Sequence, residues 1–178
     1  MLPKNYWNGW RPDRKVSETK RTPSRIEIMG ESDLDEIVRI EASSRWTSWS
    51  RQSFMEEIKS PNSRCFTLKT RNGAGDSLVG FICFRLLEGE SELLNLAIHP
   101  DYRQKGFGRE LMRFYIDFCH QQKIETVYLE TSVKNQAAIR LYRSFAYHPI
   151  GIRQKFYPEN EDALLMARRA SGRINRSC

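Results

Sequence analysis

The residues best suited to do chemistry form a basic, glycine-containing stretch, HPDYRQKGFGREL, at positions 99–111. Its basic side chains and glycines are Arg103, Lys105, Gly106, Gly108 and Arg109. Directly after Gly106 the apolar residues recur at helical spacing, so a helix is predicted to begin there. The free N–H groups and the positive dipole end of a helix N-terminus bind anions, and glycine lets a phosphate approach the backbone. The stretch therefore predicts a pyrophosphate-binding loop.

Two common phosphate-binding motifs do not match this loop. The chain has no G-x-x-x-x-G-K-[ST] sequence, and Leu111 stands where the dinucleotide fingerprint G-x-G-x-x-G requires its third glycine. The pattern that does match is R-x-x-G-x-G, from Arg103 to Gly108, after the strand-like LLNLAI and the turn HPDYR. The pyrophosphate is therefore expected to belong to a different kind of ligand.

The elements that must position this loop follow from the hydrophobic periodicity. Strands are predicted at 24–31, 64–70, 77–87, 92–98, 126–131, 151–157 and 162–168. Helices are predicted after Ser32, around Phe54 to Ile58, from Gly106 for about four turns, and over 135–147. The order β-α-α-β-β-β-α-β-α-β-β predicts an α/β (α+β) fold with one mixed sheet and helices on both faces.

The net charge of +7 is concentrated at the two ends of the 178-residue chain. Residues 1–25 carry +5 and residues 168–178 carry +4, which leaves −2 for the segment between them. Basic ends can attract an anionic partner such as a ribosome or RNA. They can equally be solubilising segments that bind nothing, and the sequence leaves both interpretations open.

Cysteine and histidine usage argues against a disulfide framework and against a metal centre. The four cysteines are Cys65, Cys83, Cys119 and Cys178, and no two of them have CxxC spacing. None of the three histidines lies at ligand spacing from a cysteine. The N-terminus lacks the apolar core of a signal peptide, and no run of about 18 apolar residues occurs. We therefore expect a cytoplasmic protein with reduced core cysteines, no metal and no membrane segment.

The loop and the sequence around it resemble the GNAT superfamily of N-acetyltransferases. R-x-x-G-x-G after LLNLAIHPDYR is similar to the acetyl-CoA loop of that family. The segment from YLETSVKNQAAIRLY to the tyrosine-proline pair and its acidic turn resembles the ribosomal-protein-alanine N-acetyltransferases. The resemblance covers residues 24–167 in element order and residues 92–167 in specific motifs.

This resemblance implies the domain organisation and the fold. A GNAT domain would span 24–167, between a basic N-terminal extension over 1–23 and a basic C-terminal tail over 168–178. The sheet would have about seven twisted, mostly antiparallel strands. It would be split by a V-shaped opening between two central parallel strands, 92–98 and 125–132.

The resemblance also implies which residues bind acetyl-CoA. Main-chain groups of Leu96, Ala97 and Ile98 would pair with the pantetheine arm in the manner of a further strand. The loop that would hold the pyrophosphate comprises Arg103, Gln104, Lys105, Gly106, Phe107, Gly108 and Arg109. Asn135, at the start of the next helix, would meet the cofactor, and its residue type also suits a plain helix N-cap.

Tyr142 and Glu130 match the family's general acid and general base. A departing CoA thiolate needs a proton, which a phenol with a pKa of about 10 can supply. Tyr142 shares a helix face with Asn135, but it also lies on an apolar stripe that is typical of a core tyrosine. A carboxylate at Glu130 can take the proton of an attacking amine, or it can be an ordinary surface glutamate. Ser132 stands where the family often has an arginine, which leaves the peptide specificity open.

These matches imply direct transfer of the acetyl group of acetyl-CoA to an amine, with strand N–H groups stabilising the oxyanion. The implied acceptor is the N-terminal amine of a protein, by resemblance a ribosomal protein that begins with alanine. Two alternatives remain: a lysine, polyamine or aminoglycoside acceptor, and a non-catalytic module that binds ribosomes or RNA. The intact loop, Asn135 and Tyr142 argue against the non-catalytic module.

Overall fold

The computed structural model describes residues 23–44, 46, 49–72 and 75–169. Its strands are β1 (Ser24–Ile28), β2 (Ser63–Asn72), β3 (Gly75–Leu87), β4 (Glu90–Ile98), β5 (Thr126–Ser132), β6 (His148–Tyr157) and β7 (Glu161–Arg169). Its α-helices are α1 (Leu34–Ala42), α2 (Arg51–Lys59), α3 (Phe107–Gln121) and α4 (Gln136–Arg143). The predicted order of strands and helices is confirmed.

The strands form one seven-stranded sheet in the order β1-β2-β3-β4-β5-β7-β6. Neighbouring strands are antiparallel except for β4 and β5, which are parallel. The parallel pair is possible because α3 connects β4 to β5 as a crossover helix. The predicted fold class, a mixed and mostly antiparallel sheet, is therefore confirmed.

Two apolar clusters cover the two faces of this sheet. On one face, α3 packs against the strands and Tyr142 of α4 joins the same cluster, which we call the α3 cluster. The α3 members of that cluster are Phe107, Leu111, Met112, Tyr115, Phe118 and Cys119. On the other face, α1 and α2 form the α1–α2 cluster through Leu34, Ile37, Ile40 and Phe54. Helices therefore lie on both faces, as predicted.

The ends of some elements differ from the prediction. α4 ends at Arg143, short of the predicted residue 147, because the chain turns at Ala146 with a φ of 62°. β7 continues to Arg169, so it takes in the first two residues of the segment predicted as a basic tail. Apart from these two residues and Pro23, both predicted basic ends lie outside the described residues.

Cys65, Cys83 and Cys119 are buried free cysteines, in agreement with their prediction as core residues. Cys65 and Cys83 are directly opposite each other on β2 and β3, which their spacing in the sequence did not indicate. Cys178 lies outside the described residues. Within the described ranges, no helix is long and apolar enough to cross a membrane. In the same ranges, no group of three or more His, Cys, Asp or Glu could hold a metal ion.

Candidate active site

The two parallel strands separate halfway along their length. Residues Glu90 to Leu93 of β4 pair with Thr126 to Leu129 of β5, and the pairing ends there. Beyond this point β4 pairs with β3, and β5 pairs with β7. A V-shaped opening therefore lies between the C-terminal halves of β4 and β5, at the position that the resemblance implied.

A β-bulge at Leu94 accounts for the separation. Leu93 and Asn95 are opposite consecutive residues of β3, so Leu94 is an extra residue on β4. A bulge bends its strand and increases the local twist. It also reverses the face that each following residue occupies: Leu93 packs in the α3 cluster, whereas Ala97 packs in the α1–α2 cluster. The bulge therefore turns β4 away from β5.

Gly80 lets β3 approach β4 closely beside the opening. A Cβ atom at Gly80 would lie 2.7 Å from the main-chain oxygen of Ala97 and 2.6 Å from Cδ1 of Ile98. Both distances are shorter than ordinary van der Waals contact, so only glycine fits without a shift. Residues 96–98 are thus held on one edge by β3, and their other edge faces the opening. Main-chain groups on that edge can pair with an extended ligand.

The glycine-containing loop joins β4 to α3 at the wide end of the opening. Gly106 is the N-cap of α3 and has a φ of 88°, in the left-handed region that favours glycine. Gly108, in the first turn, lies close to α4: a Cβ atom there would be 3.4 Å from Cδ2 of Leu141. The first N–H groups of α3 have no partners within their helix. Such groups can bind an anion, and the predicted pyrophosphate site stays a prediction.

Arg103 binds protein groups on both sides of the loop. Its Nε donates to the main-chain oxygen of Ile98 at 3.0 Å. Its Nη2 donates to Oγ of Ser43 at 2.8 Å and to the main-chain oxygen of Ser43 at 3.2 Å. Arg103 therefore ties the end of β4 to the end of α1, and its predicted contact with a phosphate stays a prediction.

The other two cations of the loop are exposed at its surface. Nζ of Lys105 donates to the main-chain oxygen of Asp101 at 2.7 Å and lies 5.3 Å from the ring centre of Tyr102. The guanidinium of Arg109 lies 5.7 Å from the ring centre of Phe145. Both side chains add positive charge beside the N-terminus of α3.

Glu130 lies at the opening, because it is the first residue of β5 beyond the pairing with β4. Its neighbour Leu129 packs in the α3 cluster, so Glu130 projects to the opposite face, the side of α1 and α2. Its Oε1 is 2.9 Å from Nη2 of Arg153, and its side chain is 20% exposed. Burial raises the pKa of Glu130, while Arg153 lowers it and Glu92 raises it. A half-buried carboxylate of this kind can accept a proton.

Tyr142 is a member of the α3 cluster, and its ring centre lies 6.0 Å from that of Tyr147. Burial raises the pKa of Tyr142, and Tyr157 adds to this rise. The phenol is therefore fully protonated at neutral pH, as a proton donor must be. The structure thus agrees with the core interpretation, and the catalytic role stays a prediction.

Tyr157, at the end of β6, interacts electrostatically with both predicted proton-transfer residues, and the sequence analysis did not name it. Burial raises its pKa to about 12, with further contributions from Glu130 and Glu161. Because Tyr142 also interacts electrostatically with Tyr157, both predicted proton-transfer residues are near this tyrosine. The signal in the sequence was the tyrosine-proline pair before the acidic turn PENE.

Asn135 is the N-cap of α4. Its Oδ1 accepts a hydrogen bond from the N–H of Ala138 at 3.2 Å. Asn135 therefore caps its helix, as its residue type suggested. The predicted contact with the cofactor stays a prediction. Ser132, at the position where the resemblance often has an arginine, is buried and accepts a hydrogen bond from the N–H of Lys134 at 3.0 Å.

The arrangement fits acetyl-CoA in three respects. The free edge of residues 96–98 suits the amides of a pantetheine arm, and the N-terminus of α3 with Gly106 suits a pyrophosphate. Glu130 and Tyr142 would supply the proton acceptor and the proton donor that the resemblance implies, and these two roles stay predictions.

Comparisons with known proteins agree with this geometry. The acetyltransferase (GNAT) family matches residues 32–147. The chain is 32% identical to the ribosomal protein bS18-alanine N-acetyltransferase of Salmonella typhimurium, over 80% of this chain and 95% of the relative. The crystal structure of the ribosomal-protein-S18-alanine N-acetyltransferase from Escherichia coli matches with a TM-score of 0.76 at 30% identity, covering 88% of this chain and 99% of that one. Arabidopsis thaliana NAA60 in complex with acetyl-CoA shares the fold, with a TM-score of 0.75 at 17% identity over 83% of this chain and 98% of that one. The chain belongs to the acetyltransferase (GNAT) family.

Proposed function

We propose that this chain transfers the acetyl group of acetyl-CoA to the N-terminal α-amine of a protein, and that the acceptor is a ribosomal protein beginning with alanine. The observation that carries the proposal is the opening between β4 and β5, with a glycine-capped helix at its mouth and Glu130 at its side. The acceptor in the names of the Salmonella and Escherichia coli enzymes, the alanine of ribosomal protein S18, supports the acceptor class.

Acetyl-CoA supplies a thioester carbonyl that an amine can attack. The main-chain groups of residues 96–98 would hold its pantetheine arm along the free edge of β4. The N-terminus of α3, with Gly106 and Gly108, would hold the pyrophosphate, and Lys105 and Arg109 would add attraction. Strand N–H groups near the bulge would stabilise the negative charge that develops on the carbonyl oxygen.

Glu130 would take the proton that the amine must lose. An α-amine has a pKa of about 8, so a substantial fraction is already neutral near physiological pH. Glu130 projects to the face covered by α1 and α2, and we assign the approach of the acceptor to that face. The carboxylate would accept the proton directly or through one water molecule, and Arg153 at 2.9 Å favours its ionised form.

Tyr142 would donate a proton to the departing thiolate. Burial raises the pKa of its phenol, so the phenol is protonated at neutral pH, and the same burial would raise the basicity of a thiolate formed beside it. Transfer to the thiolate makes CoA a neutral thiol and a better leaving group. Tyr157 interacts electrostatically with both Tyr142 and Glu130.

The test is incubation with acetyl-CoA and a panel of amines, with products identified by mass spectrometry. The panel contains a peptide with a free N-terminal alanine, the same peptide with a blocked N-terminus and an internal lysine, a polyamine and an aminoglycoside. We expect acetylation of the free N-terminus and little of the others. Acetylation confined to the lysine peptide or the small amines would contradict the proposed acceptor, and no acetylation at all would contradict catalysis.

A further inference from the structure

The last turn of α1 contains a buried carboxylate that the proposed mechanism does not use. Glu41 is 2% exposed, on the face of α1 that carries the buried residues Ile37 and Ile40. A charged group is costly to bury unless each of its oxygens finds a hydrogen-bond donor. Its partners among the described residues therefore indicate why a carboxylate is present.

The two oxygens of Glu41 bind two different elements. Oε1 accepts from the main-chain N–H of Trp49 at 3.1 Å, and Oε2 accepts from Nδ2 of Asn95 at 3.2 Å. Trp49 directly precedes Ser50, the N-cap of α2, and its ring centre lies 5.1 Å from that of Phe54. Glu41 thus fixes the start of α2.

Asn95 connects the same carboxylate to the opening. It is the first residue of β4 after the bulge, just before the segment 96–98 with the free edge. Its side chain points to the α1–α2 face, the face to which Glu130 also projects. One carboxylate therefore holds the start of α2 against the part of β4 that bends away from β5.

We propose that Glu41 is a positioning residue for the acceptor. By binding Trp49 and Asn95 together, it sets where α2 begins relative to the bulged part of β4, and so sets the width of the acceptor's approach to Glu130. The proposal rests on the acetyl transfer proposed above. Arg103 holds the end of α1 to the loop independently, so the pyrophosphate loop keeps its anchor when Glu41 is replaced.

Three variants separate the hydrogen bonds from the charge. Glu41→Gln can keep both bonds, because its oxygen can accept from Trp49 while its NH₂ donates to Asn95 with the amide turned over. Glu41→Leu keeps similar bulk and leaves both donors unpaired. Glu36→Leu makes the same change at an exposed position of the same helix and is the matched control.

We expect kcat/KM for the acceptor to fall about 10- to 100-fold in Glu41→Leu, the range for leaving buried donors unpaired. Glu41→Gln and Glu36→Leu should stay within about threefold of the unmodified protein. The Kd of acetyl-CoA, measured by calorimetry, should be unchanged in all three. Hydrogen exchange at residues 49–54 should become faster in Glu41→Leu alone.

Equal losses in acetyl-CoA affinity and in acceptor kcat/KM would overturn the proposal, because they would indicate general destabilisation. Unchanged kcat/KM in a folded Glu41→Leu would overturn it as well, and so would a Glu41→Gln variant as impaired as Glu41→Leu. If Glu41→Leu does not fold, Asn95→Ala removes one donor alone and should lower acceptor kcat/KM with acetyl-CoA affinity intact. If the unmodified protein acetylates no amine, the proposed function fails, and hydrogen exchange still decides whether Glu41 holds the start of α2.

Discussion

At the scale of single residues, the hydroxyl of Tyr142 can be tested apart from its ring. Tyr142→Phe keeps the packing in the α3 cluster and removes the proton donor, so we expect kcat to fall about 100-fold, as for other general acids. The Kd of acetyl-CoA should be nearly unchanged. Tyr147→Phe, 6.0 Å away and similarly buried, is the matched control and should keep its kcat. An unaltered kcat in Tyr142→Phe would make Tyr142 a core residue only.

The pH dependence of the reaction should report on Glu130. A general base must be ionised, so kcat/KM falls as the pH drops through the pKa of Glu130. Burial raises this pKa, and Arg153 opposes the rise. Arg153→Gln removes the opposing charge, so we expect the acidic limb of the profile to move to higher pH. Arg140→Gln, on the exposed side of α4, is the control. An acidic limb of the kcat/KM profile that moves in both variants, or in neither, would contradict the role of Glu130.

Residue types and spacing predicted part of the site for physical reasons. Gly106 was predicted as a helix start from the change of period, and it is the N-cap of α3 with a φ of 88°; the anion-binding role of Gly106 and Gly108 stays a prediction. Arg103 was assigned to the phosphate by its place in the motif, but its partners, Ile98 and Ser43, are brought to it only by the fold. The residues next to Glu41 in the sequence did not indicate its role, because its hydrogen-bond partners lie 8 and 54 positions away.

At the scale of elements, the loop before α3 depends on its glycine cap. Gly106 has a φ of 88°, which a β-branched residue tolerates poorly, and a side chain there would also obstruct a phosphate. We expect Gly106→Val to abolish acetyl-CoA binding in calorimetry. Gly89→Val, in the turn before β4, is the matched control: Gly89 has a φ of 74° and no atom within 4 Å of an added Cβ. Unchanged binding in a folded Gly106→Val would remove the loop from the site.

The close contact between β3 and β4 gives a second prediction at this scale. Gly80→Ala places a Cβ atom 2.7 Å from the main-chain oxygen of Ala97, so β4 must shift beside the opening. We expect unfolding free energy to fall by about 1–3 kcal/mol, together with weaker acetyl-CoA binding. Gly151→Ala on β6 meets no atom within 4 Å and should change neither quantity. Full stability and affinity in Gly80→Ala would show that β4 has room to adjust.

The strands and helices could be predicted from the sequence because their hydrophobic periodicity involves neighbouring residues only. Alternation and helical spacing gave the strands and helices, and the change of period at Gly106 marked the start of α3 at Phe107. The bulge at Leu94 was not predictable in this way. ELLNLAI is an apolar run in which Asn95 is the one polar residue after Glu92, and the extra residue exists only relative to the register of β3. The feature that opens the site is therefore a property of strand pairing.

At the scale of the whole molecule, the position of β7 between β5 and β6 was not predicted from the sequence. Alternation identifies a strand but not its neighbours, because pairing brings together residues far apart in the chain. The sequence does fix the distribution of charge: residues 1–25 carry +5 and the central segment carries −2. The effect of this charge distribution on binding to an anionic partner can be tested by deletion.

Deleting residues 1–22 tests whether the basic N-terminal extension serves binding or folding. We expect unchanged melting temperature and unchanged kcat on a short peptide, because every predicted element and every predicted site residue lies after residue 23 of the sequence. Binding to ribosomal particles, measured by co-sedimentation, should weaken on deletion and should weaken with salt in the full chain, since salt screens charges beyond about 10 Å at 0.1 M. A variant with Tyr6, Trp7 and Trp10 changed to alanine keeps the charge and is the control; it should bind particles like the full chain. A lowered melting temperature in both variants would instead assign these aromatic residues to packing on the folded domain, and the extension would then be part of the fold.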